Sequence, residues 1–213
     1  MVGMYMLVYL GVVRRENMQI EGFWYYLFSG TFEAATIHYA VAKIFGPLLF
    51  GRGWCGYACW TAAILDLLPW KRPRAPRRSW GWLRYLHFAL SLALVAALFA
   101  SGAPNLERTM FLIFLAGNAL YYAAGIALAA YLGDNRAFCK YLCPVTAFLK
   151  PASRFSLMRV RVDAAMCTDC GACARVCPMD VDVRDGSRAR KNATECILCL
   201  NCVEKCPNGA LKL

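Results

Sequence analysis

The chain has 213 residues, 60% of them hydrophobic and 17% charged, and 12 are cysteines. That balance excludes disorder, which needs few apolar residues, and a secreted disulfide mini-fold, which is short and polar. It is also too apolar for an ordinary soluble domain. The formal charge of +11, from 24 Lys and Arg against 13 Asp and Glu, narrows the partners to nucleic acid or an anionic membrane surface. The placement of the charge decides between them.

Residues 1–13 are apolar but too short to span, and they lack the basic start and cleavage site of a signal peptide. A start further upstream is the expectation. Residues 23–50 form an apolar run carrying Glu33, His38 and Lys43, read as a helix whose ionisable groups face protein, water or a ligand. Residues 85–103, with only His87 ionisable, and 109–132, with no charge, each reach the roughly 20 residues of a crossing helix. Between the two halves lie Lys71, Arg72, Arg74, Arg77, Arg78 and Arg84, whereas residues 102–108 hold Arg108 as their one base. The positive-inside bias puts the first of these loops in the cytoplasm. About four spans with both ends inside is the expected arrangement. The basic loop then acts as an orientation signal against lipid headgroups, and nucleic acid drops out because no recognition motif accompanies the charge.

Four cysteines lie in the membrane half as two C-x3-C pairs, Cys55 with Cys59 and Cys139 with Cys143. At an offset of 84 (55 to 139), Arg52-Gly-Trp54-Cys55-Gly-Tyr57-Ala-Cys59 matches Arg136-Ala-Phe138-Cys139-Lys-Tyr141-Leu-Cys143, which reads as a duplicated two-helix unit. Residues four apart share a helix face, so each pair offers two sulfurs to one point, and pseudo-twofold packing would gather four thiolates near the inner surface. Such a set suits a third iron-sulfur cluster or another thiophilic metal; buried apolar cysteines or redox-active thiols are the plainer alternative.

The remaining eight follow a stricter rule. Cys167, Cys170, Cys173 and Cys177 read C-x2-C-x2-C-x3-C-P, and the pattern recurs 29 residues on (167 to 196) at Cys196, Cys199, Cys202 and Cys206. Three close thiolates can take three irons of a cubane while the fourth comes from the other motif. This assigns Cys167, Cys170, Cys173 and Cys206 to one [4Fe-4S] cluster and Cys196, Cys199, Cys202 and Cys177 to the other. Zinc does not require the third cysteine or the following proline, and disulfides are disfavoured in a reducing compartment.

From about residue 160 the chain resembles the bacterial two-cluster ferredoxins, including Cys177-Pro-Met-Asp180 and Cys206-Pro-Asn-Gly-Ala-Leu211. That resemblance implies a small α+β module devoted to one-electron transfer. Nearly the whole chain resembles the ferredoxin-type membrane subunits of the NapH and NosR type. Cys139, Cys143 and Pro144 match their motif; Cys55 and Cys59 match its cysteines, with Trp60 where proline is usual. The resemblance implies four membrane helices, a cytoplasmic two-cluster ferredoxin and quinol oxidation coupled to electron transfer.

A quinol site needs an apolar slot and a group that accepts a proton. His38 and Glu33 are the candidates for menaquinone or ubiquinone chemistry, although five positions apart they do not share an ideal helix face. Haem b on His38 and His87 is disfavoured because the two lie at different depths. The expected architecture is an α-helical membrane domain over residues 1–152, with about four spans in a duplicated two-helix unit, and a small α+β two-cluster ferredoxin domain over 153–213. The expected role is a multi-pass subunit of a redox complex in a bacterial or archaeal cytoplasmic membrane, passing electrons between the quinone pool and a partner protein. The lipid bilayer and other subunits are its expected partners. A metalloenzyme-assembly or redox-sensing protein, and an anchored wire without its own quinone site, are the alternatives. If all three cysteine sets carry cubanes, anaerobically purified protein holds about twelve irons per chain. The double change Cys139→Ser, Cys143→Ser then lowers elemental iron by about a third, and unchanged iron removes the third site.

Overall fold

A computed structural model describes residues 2–70 and 79–213. Lys71, Arg72, Arg74, Arg77 and Arg78 of the basic loop lie outside the described residues; Arg84 is described and buried. The chain divides into two compact units, the first comprising Met1–Val41 and Ala58–Ala147, the second Ala42–Tyr57 and Phe148–Leu213. The boundary expected at 152/153 therefore falls inside the second unit, which also takes in a segment from the apolar half.

Two helices of the first unit, Trp80–Ala100 and Leu106–Leu132, are long and apolar enough to cross a membrane. Only 17% and 22% of their apolar windows are buried. Leu86, Leu90, Leu94, Leu112 and Leu120 stay exposed, so these helices present apolar flanks as a lipid-facing helix does. Two shorter apolar helices, Val2–Val13 and Ala34–Phe50, flank the Ile20–Ser29 helix. The expected single helix over residues 23–50 is thus broken. Gly30 caps Ile20–Ser29 in the left-handed region at φ 68°, and Glu33, extended, starts the next helix. Hydropathy reads through this break because Gly and Thr carry no charge to interrupt the run.

Buried polar groups tie these helices together. The Asn17 amide donates to the Met110 carbonyl at 3.0 Å, the Trp60 indole to Asn118 Oδ1 at 3.2 Å, and the Trp24 indole to Ser91 Oγ at 3.4 Å. Around them Met18, Tyr26, Ala35, Trp60 and Phe114 form one core cluster, and Leu65, Tyr121 and Phe138 another. Glycine allows close approach: a Cβ on Gly11 would collide with the Phe114 ring of another helix, and one on Gly22 with the Asn17 carbonyl oxygen in the segment that enters its own helix.

The second unit is small and loop-rich. An antiparallel pair joins Arg161–Val162 to Leu211–Lys212, with Val162 opposite Leu211. Short helices Ala172–Val176, Ala189–Ala193 and Asn201–Glu204 surround a core of Met179, Val181, Val183, Ile197, Leu198 and Ala210.

These packings separate two kinds of glycine cost. Gly22→Ala meets fixed backbone and loses about 1–3 kcal/mol of stability, whereas Gly30→Ala has open space and carries only the left-handed strain of about 1 kcal/mol. Thermal unfolding in detergent should show the larger loss for Gly22→Ala.

Candidate metal centres

The two C-terminal cysteine motifs fold alike. Asp169 and Gly171, which flank Cys170, have φ of 53° and 71°, and their counterparts Leu198 and Leu200, which flank Cys199, have φ of 52° and 63°. Asp180 and Gly209 match again at 53° and 60°. Left-handed backbone is costly for leucine, by about 1–2 kcal/mol per residue, so the loop shape is imposed by what the cysteines must do. Each motif then enters a short helix whose second residue is a buried cysteine, Cys173 or Cys202.

Cys167, Cys170, Cys173 and Cys206 line a single cavity, with Arg184 and Asn208. Asn208 ties the end of the second motif to the first by donating to Met166 O and Thr168 Oγ1, both at 3.2 Å. Arg184 is itself aimed by carboxylates: its guanidinium pairs with Asp169 at 2.8 Å and Asp182 at 2.5 Å. The Arg184 guanidinium in turn holds the Asp182 carboxyl below its ordinary range.

The other four converge electrostatically. Burial pushes the Cys196 thiol up to about 11, and Cys177 and Cys199 add to the shift while Arg52 opposes it. Burial takes Cys202 up to about 12, with Cys196, Cys177, Cys199 and Cys173 all adding. The Val181 backbone N–H donates to Cys177 Sγ at 3.3 Å, the kind of contact that stabilises a thiolate on iron. Among the described residues no three His, Cys, Asp or Glu side chains converge as on a single ion. Cubane thiolates each take a different iron, so a cluster asks for wider spacing. The donor sets fit iron-sulfur clusters, and Cys206 of the second motif shares the cavity of Cys167, Cys170 and Cys173.

In the first unit, Cys139 is buried and Cys59 and Cys143 are half-buried. Arg136 lies within electrostatic reach of both Cys139 and Cys59, and Tyr39 of both Cys143 and Cys59. Arg136 pairs with Asp66, which also accepts from the Asn135 amide at 2.9 Å, and Lys140 pairs with Asp134 at 2.6 Å. Cys55 is buried and belongs to the second unit.

The two quinol candidates separate by environment. His38 is buried beside Tyr39 and Trp60, where the helix widens to a π-helical stretch at Tyr39–Phe45. Glu33 is exposed at the helix start. Sequence reasoning passed over Glu21, which is buried with one carboxylate oxygen lacking a hydrogen bond, and the buried Gln19 amide beside it. The signal was present, since a lone acid within an apolar stretch is costly unless used. His87 has both ring nitrogens engaged: Nδ1 donates to Leu142 O at 2.9 Å and Nε2 accepts from the Tyr121 hydroxyl at 3.3 Å. The Tyr121 bond would have to give way before Nε2 could bind haem, and the Leu142 bond before Nδ1 could.

Comparison with known proteins agrees with these centres. A 4Fe-4S dicluster domain matches residues 159–207. A 4Fe-4S binding domain matches residues 37–81 and 110–162, each stretch containing one C-x3-C pair. The ferredoxin-type protein NapH of Haemophilus influenzae is 25% identical, over 81% of this chain and 66% of its own length. The methylamine utilization ferredoxin-type protein MauN of Paracoccus denitrificans is 31% identical, over 63% of this chain and 51% of its own length. The chain is a ferredoxin-type electron-transport protein of the NapH kind. An uncharacterized protein of Methanocaldococcus jannaschii is 27% identical over 94% of this NapH-type chain and 79% of its own length. The chain thus spans only about half to two thirds of the two ferredoxin-type relatives named. No solved structure matches it.

The crossed arrangement expected from the sequence makes a sharp prediction for cysteine variants of this NapH-type protein. Cys206→Ala removes the same EPR signal as Cys170→Ala, and Cys177→Ala the same signal as Cys199→Ala; pairing within each motif instead would overturn the assignment.

Proposed function

We propose that this protein is a membrane-anchored iron-sulfur relay that passes electrons between the quinone pool and a partner redox protein. The observation that carries it is the cavity lined by Cys167, Cys170, Cys173 and Cys206, a ligand set that takes its fourth member from the second motif. Cys177, Cys196, Cys199 and Cys202 hold the second [4Fe-4S] cluster, and the thiols of the two C-x3-C pairs hold a third. Support for the third comes from Arg136, whose charge bears on Cys139 and Cys59. Bound clusters supply one-electron redox chemistry; the chain's own residues set their exposure, hydrogen bonding and charge.

The membrane part is multi-pass, built from a duplicated two-helix unit of about four spans, with the ferredoxin part on the cytoplasmic side. The exposed leucines of Trp80–Ala100 and Leu106–Leu132 support membrane residence, and the basic sequence between the two halves supports the orientation. The partners are the other subunits of a membrane redox complex. His38 and Glu21 are the groups best placed to take protons from a quinol, being buried among apolar side chains of the first unit. Glu33 at the exposed helix start is the weaker candidate for that role.

The test is anaerobic. Reduced full-length protein is mixed with a menaquinone analogue and cluster reoxidation is followed by EPR. Saturable exchange is expected, slowed by about a hundredfold in His38→Phe, as for loss of a general acid or base, with iron content unchanged. Exchange that neither saturates nor responds to His38→Phe and Glu21→Gln would reduce the protein to an anchored wire.

A further inference from the structure

The second unit includes a piece of the apolar half, Ala42–Tyr57, which carries Cys55. Within this unit, the segment Arg52–Tyr57 is fastened to the loop that bears Cys196 and Cys199 by three contacts. The Arg52 guanidinium, fully buried, pairs with Glu195 at 2.5 Å and donates to the Thr194 carbonyl at 3.5 Å. The Tyr57 hydroxyl donates to the Leu198 carbonyl at 2.9 Å. Gly56 lies so close that a Cβ there would collide with the Ile197 carbonyl oxygen. Lys150 joins from the other side, 2.8 Å from Glu195. Every anchoring point on the loop, residues 194 to 198, is within one or two chain steps of Cys196 or Cys199, and on the facing segment Gly56 and Tyr57 directly follow Cys55. With chain steps of about 3.8 Å, Cys55 lies only a few steps, through these contacts, from Cys196 and Cys199.

We infer that the turn carrying Cys55 is the electron port of the ferredoxin part. It serves the ligand set Cys177, Cys196, Cys199 and Cys202 first, and Arg52 is the positioning residue that holds the junction and raises the potential of that set. The inference rests on the iron-sulfur relay proposed above and adds the order of the two ferredoxin centres. The set of Cys167, Cys170, Cys173 and Cys206 is then the outlet, since Cys170 is exposed and a partner can approach it. Each transfer moves one electron. With quinol as the donor, the centre at the Cys55 turn is oxidised and that on Cys196, Cys199, Cys202 and Cys177 is reduced; with the partner redox protein as donor the flow reverses. No bond forms or breaks.

Two arginines make the test symmetrical, because Arg184 faces the other set: it lines the cavity of Cys167, Cys170, Cys173 and Cys206. Potentiometric EPR titration of full-length Arg52→Gln is expected to show one ferredoxin signal moved to lower potential, because removing a positive charge disfavours the added electron, with wild-type iron content. Arg184→Gln is expected to move the other signal. Electron transfer from the membrane part, followed by rapid-freeze EPR, should slow in Arg52→Gln. Both variants moving the same signal, or Arg52→Gln moving neither while retaining iron, overturns the inference. If Arg52→Gln loses iron, Arg52→Lys is read instead: a smaller shift in the same direction supports the inference and an unmoved potential overturns it. A wild-type chain without cluster signals would be a failure of the relay reading itself.

Discussion

The pair of buried Arg52 and half-buried Glu195 is the constraint on which the second unit depends. A guanidinium with no exposed surface survives in a protein interior only when its charge and donors are matched, and stripping one partner from such a pair costs about 3–5 kcal/mol. Glu195 immediately precedes the first cysteine of the second motif, so the pair fixes the loop where its ligands begin. Lys150 adds a second cation to the same carboxylate. The Leu48 and Leu49 carbonyls accept from the backbone N–H groups of Leu157 and Met158 at 2.9 and 2.8 Å, extending the seam with ordinary backbone bonds.

Repetition governs both halves, with a different device in each. In the ferredoxin part the repeat lives in backbone shape, since Leu198 and Leu200 take the left-handed conformations that Asp169 and Gly171 take in the first copy. In the C-x3-C copies it lives in the arginine three residues before the first cysteine. Arg52 and Arg136 are both buried and both paired with a carboxylate, Glu195 for one and Asp66 for the other. The second copy is thereby anchored within the helical unit and the first within the ferredoxin unit.

Much of the ferredoxin site was legible in the sequence, because ligand chemistry there is local: four cysteines at fixed spacing, repeated, leave few other uses. The same arithmetic leads to the expectation of a crossed fourth ligand, and Cys206 lines the cavity of the first motif. The helices Trp80–Ala100 and Leu106–Leu132 were legible for a similar reason, their charge-free runs being long. The break at Gly30 was not, since it depends on a backbone conformation that hydropathy does not register. Nor was the allegiance of Ala42–Tyr57, because nothing adjacent in sequence reveals that Arg52 meets a carboxylate more than a hundred residues away. Glu21 was passed over because its burial, which marks it, is visible only in the fold.

Hydrogen exchange on the full-length protein, read by mass spectrometry, tests most directly whether the Cys55 turn and the ferredoxin loop form one body. In the wild type, residues 52–57 and 194–198 should be protected together, and Glu195→Gln should release both segments to a similar degree while leaving Leu106–Leu132 unchanged. Independent exchange of the two segments, or release of one alone, would contradict the junction at the centre of this account.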